Sequence, residues 1–259
     1  MTYKHENVAK IVEKARAKDK ITASELINFI FNDFYELHGD RAMEDDKAII
    51  GGLAYFNGQP ITVISTDKGN TPQEKIERHF GCPTPAGYRK ARRLMKQAEK
   101  FQRPVLIFVN TAGAYPGVEA EEEGQGYSIA QNLITMSELK TPIITVITGE
   151  GGSGGALALA GSDSVWMLEN SIYSVLSPEG FASILWKDSS RADEAAEILK
   201  LDPASLLKQH VIEGIIPESE NHKMICDDIA KVLQDELDRL QKLSISELIE
   251  KRHQRFRKF

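Results

Sequence analysis

The chain has 259 residues, 41% hydrophobic and 27% charged, with a formal net charge of −6. This ordinary globular composition excludes a fibrous or disordered chain and speaks against nucleic acid as a partner. No apolar run approaches the ~20 residues of a membrane span, the charged opening MTYKHENVAKIVEKARAKDK has no leader segment, and Cys82 and Cys226 fit neither a zinc set nor a disulfide framework, so free thiols in the cytoplasm are expected.

The opening segment reads as helix. Thr22 and Glu25 form a capping box for a second helix, with Leu26, Ile27, Ile30, Phe31, Phe34 and Leu37 on one face. HGDRAMEDD breaks that pattern. A strand is predicted near Ala48–Phe56, then an Asn57-Gly58 turn and a strand over Pro60–Ser65; Asn-Gly between apolar runs is the strongest short hairpin signal. Thr84-Pro85 opens a helix to about Phe101. Pro104–Asn110 (PVLIFVN) has the apolar character of a strand buried on both faces. Thr111–Gly117 (TAGAYPG) is a loop, and Glu119–Leu139 a helix offering Ile129, Leu133, Ile134 and Met136 to the core. Pro142–Ile147 is a second buried strand. Gly149–Gly155 (GEGGSGG) leads into a short helix from Ala156 that Gly161-Ser162-Asp163 stops. Strands follow at Ser164–Leu168 and Ile172–Leu176 about a turn at Glu169-Asn170. Ser177-Pro178 and Asp202-Pro203 open further helices, and the chain ends in two amphipathic helices with a basic tail, Lys251–Lys258.

Two buried strands joined by a helical crossover should be parallel. TAGAYPG and GEGGSGG then leave an α/β fold on the same side, at the carboxyl ends of their strands, where such folds place their sites. Five glycines in seven residues leave mainly peptide N–H groups at a helix start. Four readings are open. Gly149, Gly151 and Gly154 spell the GxGxxG of an NAD-binding protein, with Glu169 twenty residues on. Gly151, Ser153 and Gly155 spell the GxSxG of a serine hydrolase, with His210 or His222 as base and Asp163, Asp188 or Asp193 behind it. The third is a close-packed helix start without a ligand. The fourth is an oxyanion site without a protein nucleophile, in which the amides of both loops hold an enolate or ureido oxygen. The lack of a convincing triad, metal set or P-loop lysine fits the fourth best.

The ordered runs HGDRAMEDDKAIIGGLAYFNGQP, KGNTPQEKIERHFGCPTPAGYRKARRLMKQAEKF, NTAGAYPGVEAEEEGQ, GEGGSGGALALAGSD and MLENSIYSVLSPEGFASILWKD resemble the α-subunit family of bacterial acetyl-coenzyme A carboxylase carboxyltransferase, over roughly residues 25–220. The resemblance implies a crotonase-like fold (ClpP/crotonase superfamily) of repeated ββα units. The expected division is an N-terminal helical segment 1–40, a carboxyltransferase domain 41–220 and C-terminal helices 221–259. It implies a β subunit as partner, in a heterotetramer of two α and two β chains, and a biotin carboxyl carrier protein presenting N-carboxybiotin. A biotin carboxylase would charge that carrier with ATP elsewhere in the complex. The carboxyl group would pass to acetyl-CoA, giving malonyl-CoA for fatty acid synthesis. The resemblance also implies a structural zinc in the β subunit; this chain has no four-cysteine cluster, so it looks like the α partner, and no metal is expected here.

By the same resemblance, loss of CO2 leaves a biotin anion with charge on its ureido oxygen, and its nitrogen takes the acetyl proton. The expected donors to that oxygen are the N–H groups of Gly155 and Ala156, with Gly151, Gly152 and Gly154 permitting the turn and the close approach. Gly113 and Ala114 are expected on the opposite wall and Tyr115 along the cleft.

Arg89, Lys90, Arg92, Arg93, Lys96 and Lys100 share one helix, as a solvated face or as a charge for CoA phosphates or the β subunit. Lys68 allows the same two readings. Trp166 and Trp186 read as core or interface, and Ser153 as a small turn residue. The sequence departs from the family's usual DTPGAYPG at Asn110 and Ala112, and carries Ser65-Thr66-Asp67-Lys68-Gly69 in place of a GHQKG-like stretch.

Overall fold

The computed structural model describes residues 7–259; the first six residues of the expected helical opening lie outside them. The elements are α1 (Val8–Ala15), α2 (Ala23–Ile30), β1 (Asn32–Glu36), β2 (Ile49–Phe56), β3 (Gln59–Thr66), α3 (Pro72–Glu77), α4 (Pro85–Lys100), β4 (Val105–Thr111), α5 (Val118–Glu122), α6 (Gln125–Glu138), β5 (Ile143–Gly152), α7 (Ser153–Leu157), β6 (Ser164–Leu168), β7 (Ile172–Ser174), α8 (Pro178–Trp186), α9 (Ala192–Leu199), α10 (Pro203–Lys208), β8 (Gly214–Ile216), α11 (His222–Leu240) and α12 (Ile245–Arg257). The strands form one sheet in the order β1-β2-β3-β4-β5-β6-β8, with β7 also on β5.

Asn57 and Gly58 both take positive φ, 48° and 79°, as the two-residue turn demands, and β2 and β3 pair without a break. From β3 onward every pairing is parallel. Alternation along the buried strands supplies both faces. Val105, Ile107 and Val109 pack with Ile143 and Ile147 under Leu94 and Met95 of α4. Leu106, Phe108, Ile144 and Val146 pack on the other face under Leu26 of α2 and Leu233 and Leu237 of α11. Each such side chain contributes ~1.5–3 kcal/mol by leaving water.

The second helix is shorter than its apolar spacing suggests. Phe31 is extended (φ −118°, ψ 154°), and β1 takes the next residues, bulged near Asp33. Phe34 and Leu37 therefore pack against opposite faces of the sheet. A Cβ at Gly52 would lie 2.1 Å from the Tyr35 carbonyl oxygen, so the glycine lets β1 approach. The helix expected over Glu119–Leu139 is broken at Gly124, which sits at φ +84°. Ile134 is exposed rather than in the core; the inward stripe of α6 carries Gln125, Ser128, Asn132, Thr135 and Met136. The strand β5 runs through Gly152, so the glycine run is half strand and half helix. Strand β7 ends at Ser174 and lies beside β5 beyond β6.

HGDRAMEDD turns Asp40 and Asp46 inward. Asp40 accepts from the Ala42, Met43 and Glu44 amides and pairs with Arg89 at 2.7 Å. Asp45 pairs with Lys90 at 2.7 Å, and Asp46 accepts from Ala48 and Thr84. Arg93 donates to the Gly39, Leu37 and His38 carbonyls. The basic helix α4 is thus neither a solvated face nor a free charge at Arg89, Lys90 and Arg93: it clamps this loop, and Lys90 is fully buried. Burial works to raise both carboxyls. Amides and Arg89 outweigh it at Asp40, and Lys90 and the Gly39 amide outweigh it at Asp45, so both are held below the usual carboxylate range. Their contribution to stability is therefore present above the unfolded value of ~3.9 and lost as pH falls through the folded values. The urea midpoint should hold down to about pH 5 and drop below about pH 4, with a shallower drop in Asp45→Asn; an acid-insensitive midpoint would contradict this.

The C-terminal helix is fixed by one side chain. Arg252 of α12 is buried, grips both oxygens of Asp163 at 2.8 Å and donates to the Met136, Leu139 and Thr141 carbonyls. Arg252→Ala should cost about 3–5 kcal/mol in urea unfolding, because it strands a buried carboxylate. Arg252→Lys should recover little of this, since an ammonium lacks the fork.

Candidate active site

The carboxyl ends of β4 and β5 meet where Thr111 opposes Gly151. The Thr111 hydroxyl accepts from the Gly113 amide at 3.1 Å and donates to the Gly113 carbonyl at 2.8 Å, pinning the turn. Gly113 sits at φ +150°, a conformation side chains resist. A Cβ at Gly152 would lie 1.9 Å from the Ala112 carbonyl oxygen. One at Gly155 would lie 2.3 Å from the Ala114 nitrogen and 2.6 Å from the Gly113 carbonyl carbon. Two backbones touch here, and only glycine permits it.

Ser153 opens α7 with Gly152 as its N-cap, so the amides of Gly154 and Gly155 are first-turn donors with no partner inside the helix, and the Ala156 amide follows them directly. Gly155 and Ala156 are buried, Gly154 is half-buried, and Ser153 and Ala112 are exposed. A cleft of about 240 Å³ beside them is lined by Ala112, Glu150, Gly151, Gly152, Ser153 and Arg16 among others. A second cleft, of about 300 Å³, lies beyond Arg16 and includes Lys68, Asp67, Asn110 and Thr148.

A charge network that the sequence did not reveal separates the two clefts. Glu150 pairs with Lys68 at 2.7 Å and with Arg16 at 2.8 Å, and Arg16 also pairs with Glu179 at 2.6 Å. Burial works to raise the Glu150 carboxyl, but Lys68 and Arg16 outweigh it and hold it below the usual range. Lys68 is therefore an internal partner, not a free cation. Glu150, the one charged residue of GEGGSGG, was the available signal. Asn110 accepts from the Glu150 amide at 3.0 Å and packs against Gly149, where a Cβ would lie 2.5 Å from its Oδ1. The departure at Asn110 thus keeps a backbone-holding oxygen.

The structure brings Gly113, Ala114, Gly151, Gly152, Gly154, Gly155 and Ala156 together at the two loop ends. Tyr115 is anchored beside them, with its amide donating to the Pro83 carbonyl and its ring against His79 at 4.3 Å; that ring also fills the space beside Gly117. Trp166 packs against one core cluster, and Trp186 stacks with Phe181 and under Arg191. Both cysteines are free thiols. Several residues of the competing readings are committed elsewhere. His222 contacts Glu25 and the Asp19 carbonyl, Asp163 holds Arg252, Asp188 bonds Ser190, and Glu169 accepts from the Glu218 amide. Gly149 lies inside β5 rather than in a phosphate loop.

Residues 1–259 match the family described as acetyl co-enzyme A carboxylase carboxyltransferase-like. The chain belongs to this family. An acetyl-coenzyme A carboxylase carboxyl transferase subunit α from Streptococcus pyogenes is 57% identical over 254 residues, covering 98% of this chain and 99% of its own length. One from Streptococcus equi subsp. zooepidemicus is 58% identical with the same coverage. Among solved structures, transcarboxylase 12S aligns with TM-score 0.68 at 19% identity, over 88% of this chain and 44% of its own. The β subunit of P. aeruginosa geranyl-CoA carboxylase aligns at 0.63 with 15% identity, over 90% and 46%. The chain thus spans under half of those larger chains, and they bear on fold alone.

The fold is the mixed α/β, crotonase-like one of the carboxyltransferases, and the chain is an enzyme component of the α-subunit type. Ser153 is exposed at φ +54°, and Ser153→Ala should leave most of the carboxyltransferase activity of the assembled enzyme. A loss of several orders of magnitude in kcat would point to a nucleophile instead.

Proposed function

We propose that this chain, with a carboxyltransferase β subunit, moves the carboxyl group of N-carboxybiotin, carried on a biotin carboxyl carrier protein, to acetyl-CoA, yielding malonyl-CoA for fatty acid synthesis. The observation that carries the site assignment is the contact of Gly152 and Gly155 with the Ala112–Ala114 backbone. It leaves amide donors, rather than side chains, at the meeting point of the two loops. Carboxybiotin would supply the activated carboxyl group and, once CO2 has left, a ureido oxygen that bears negative charge until the ring nitrogen takes the acetyl proton. The Gly155 and Ala156 amides donate to that oxygen, and their fixed orientation avoids reorganisation as charge develops. Gly151, Gly152 and Gly154 keep the approach free of side chains. Gly113 and Ala114 form the facing wall, with Tyr115 at its rim.

The cradle fits a group that presents an oxygen to backbone donors. It has no P-loop lysine, because Lys68 and Arg16 are neutralised by Glu150 and Glu179. Among the described residues no group of three or more His, Cys, Asp or Glu could hold a metal, and zinc belongs in this reading to the β subunit. The partners are that subunit, in a heterotetramer of two α and two β chains, the carrier protein and a biotin carboxylase that consumes ATP. The setting is the cytoplasm; no helix among the described residues is long and apolar enough to cross a membrane. Residues 41–220 form the carboxyltransferase domain in this reading, with helical flanks at 1–40 and 221–259.

The test uses this chain co-purified with its β subunit, assayed in reverse with malonyl-CoA and biocytin. Gly155→Val keeps the amide but drives a side chain into the Ala114 peptide; by displacing the donors it should lower turnover by at least ~10²-fold, the scale of one oxyanion donor, while the complex still elutes intact on gel filtration. Full activity in an intact variant complex would move the site elsewhere; no activity in the wild-type complex would reopen the reaction.

A further inference from the structure

One buried polar group at this site has no partner. Tyr88, in the first turn of α4, is wholly buried, and its hydroxyl makes no hydrogen bond among the described residues. That oxygen lies 2.7 Å from the point a Cβ of Gly155 would occupy, and the Ala114 nitrogen lies 2.3 Å from the same point. An orphaned buried hydroxyl costs about 1–3 kcal/mol, and native interiors hold few of them. The neighbouring orphans continue along α6: Gln125 Oε1, Ser128 Oγ and Asn132 Oδ1 also lack partners. Tyr88 differs from these in reaching the glycine contact itself.

Burial, and behind it the Cys82 and Asp46 charges, raise the Tyr88 phenol well above its ordinary value. It therefore keeps its proton at neutral pH. The group can donate a hydrogen bond and cannot serve as a base.

We propose that the Tyr88 hydroxyl is a further catalytic donor, hydrogen-bonding to the anionic ureido oxygen beside the loop amides. The inference rests on the biotin-dependent reading of the site given above. Two elements converge on Gly155 from its side-chain side, the phenol from α4 and the Ala114 peptide from the β4 loop. That peptide is seated against Gly155. The oxygen approaches from the exposed side of Ala112. The orphaned hydroxyl then gains the acceptor that the protein itself does not supply.

Tyr88→Phe keeps the ring and removes only the hydroxyl. With no internal hydrogen bond to lose, its melting temperature should equal or exceed that of the wild type. In the complex with the β subunit, kcat of the reverse reaction should fall roughly 10²-fold, with KM for malonyl-CoA unchanged. Independently of turnover, 3-fluorotyrosine placed at position 88 should shift its fluorine resonance when biocytin is added. An unchanged kcat in Tyr88→Phe, or a fluorine signal indifferent to biocytin, overturns the proposal. A kcat loss that merely follows a lowered melting temperature overturns it too. Gly155→Val separates the two levels. If it inactivates while Tyr88→Phe does not, the site stands and the tyrosine's role falls. If both variants keep full activity, the site lies elsewhere and the proposal falls with it.

Discussion

The contact of Gly155 with the Gly113–Ala114 peptide is the constraint around which the rest is arranged. The parallel pairing of β4 with β5 brings the two strand ends level, and the two backbones meet there. Thr111 locks one side through its hydroxyl, and the change from strand to helix at Gly152–Ser153 sets the other. The cost is conformational: Gly113 and Ser153 both occupy positive φ, which the surrounding packing must hold in place. The result is a site built from main-chain donors, whose positions follow the sheet rather than the rotamers of flexible side chains.

Charge serves architecture here more than recognition. The carboxylates of HGDRAMEDD meet Arg89, Lys90 and Thr84 of the α4 region, which seats the start of α4 and therefore Tyr88 behind the glycine contact. On the other side of the sheet end, Glu150 draws Lys68 and Arg16 together and ties the N-terminal helix pair to β5 and α8. Asp40 and Lys90 are buried and Glu150 is largely so, and there pairing offsets a desolvation cost that an unpaired charge could not bear. A cluster of basic residues on a helix is thus not a reliable sign of an anionic ligand. The carboxylates that neutralise it can lie forty or more residues away in sequence, as Asp40 does from Arg89.

What was legible in the sequence was local or periodic. The hairpin at Asn57-Gly58, the Thr22–Glu25 capping box and the two buried strands were readable because turn chemistry and hydrophobic runs act within a few residues. The end of α2 was not. Phe34 and Leu37 continue a helical spacing equally well, and the pairing of β1 with β2 through Gly52 decided the matter at a distance. The division of GEGGSGG into strand and helix depended on β7, which pairs with Glu150–Gly152. At the site, the glycines were visible as a pattern. The network around Glu150 and the orphaned hydroxyl of Tyr88 exist only through tertiary contacts, so spacing alone carried no sign of them.

The two departures from the family's usual DTPGAYPG fit the same logic. Asn110 acts through its carbonyl oxygen on the Glu150 amide, a task a carboxylate could share. An aspartate there would set a second negative charge beside Glu150, whereas the amide does not. Ala112 contributes its carbonyl oxygen to the contact with Gly152, and its amide, which a proline would lack, helps favour the ionised form of the Cys82 thiol against the larger opposing effect of burial. Neither position presents a side chain on which the proposed chemistry depends. Side chains at a backbone-built site can therefore change while the donors stay fixed, provided that the glycines at 113, 152 and 155 remain.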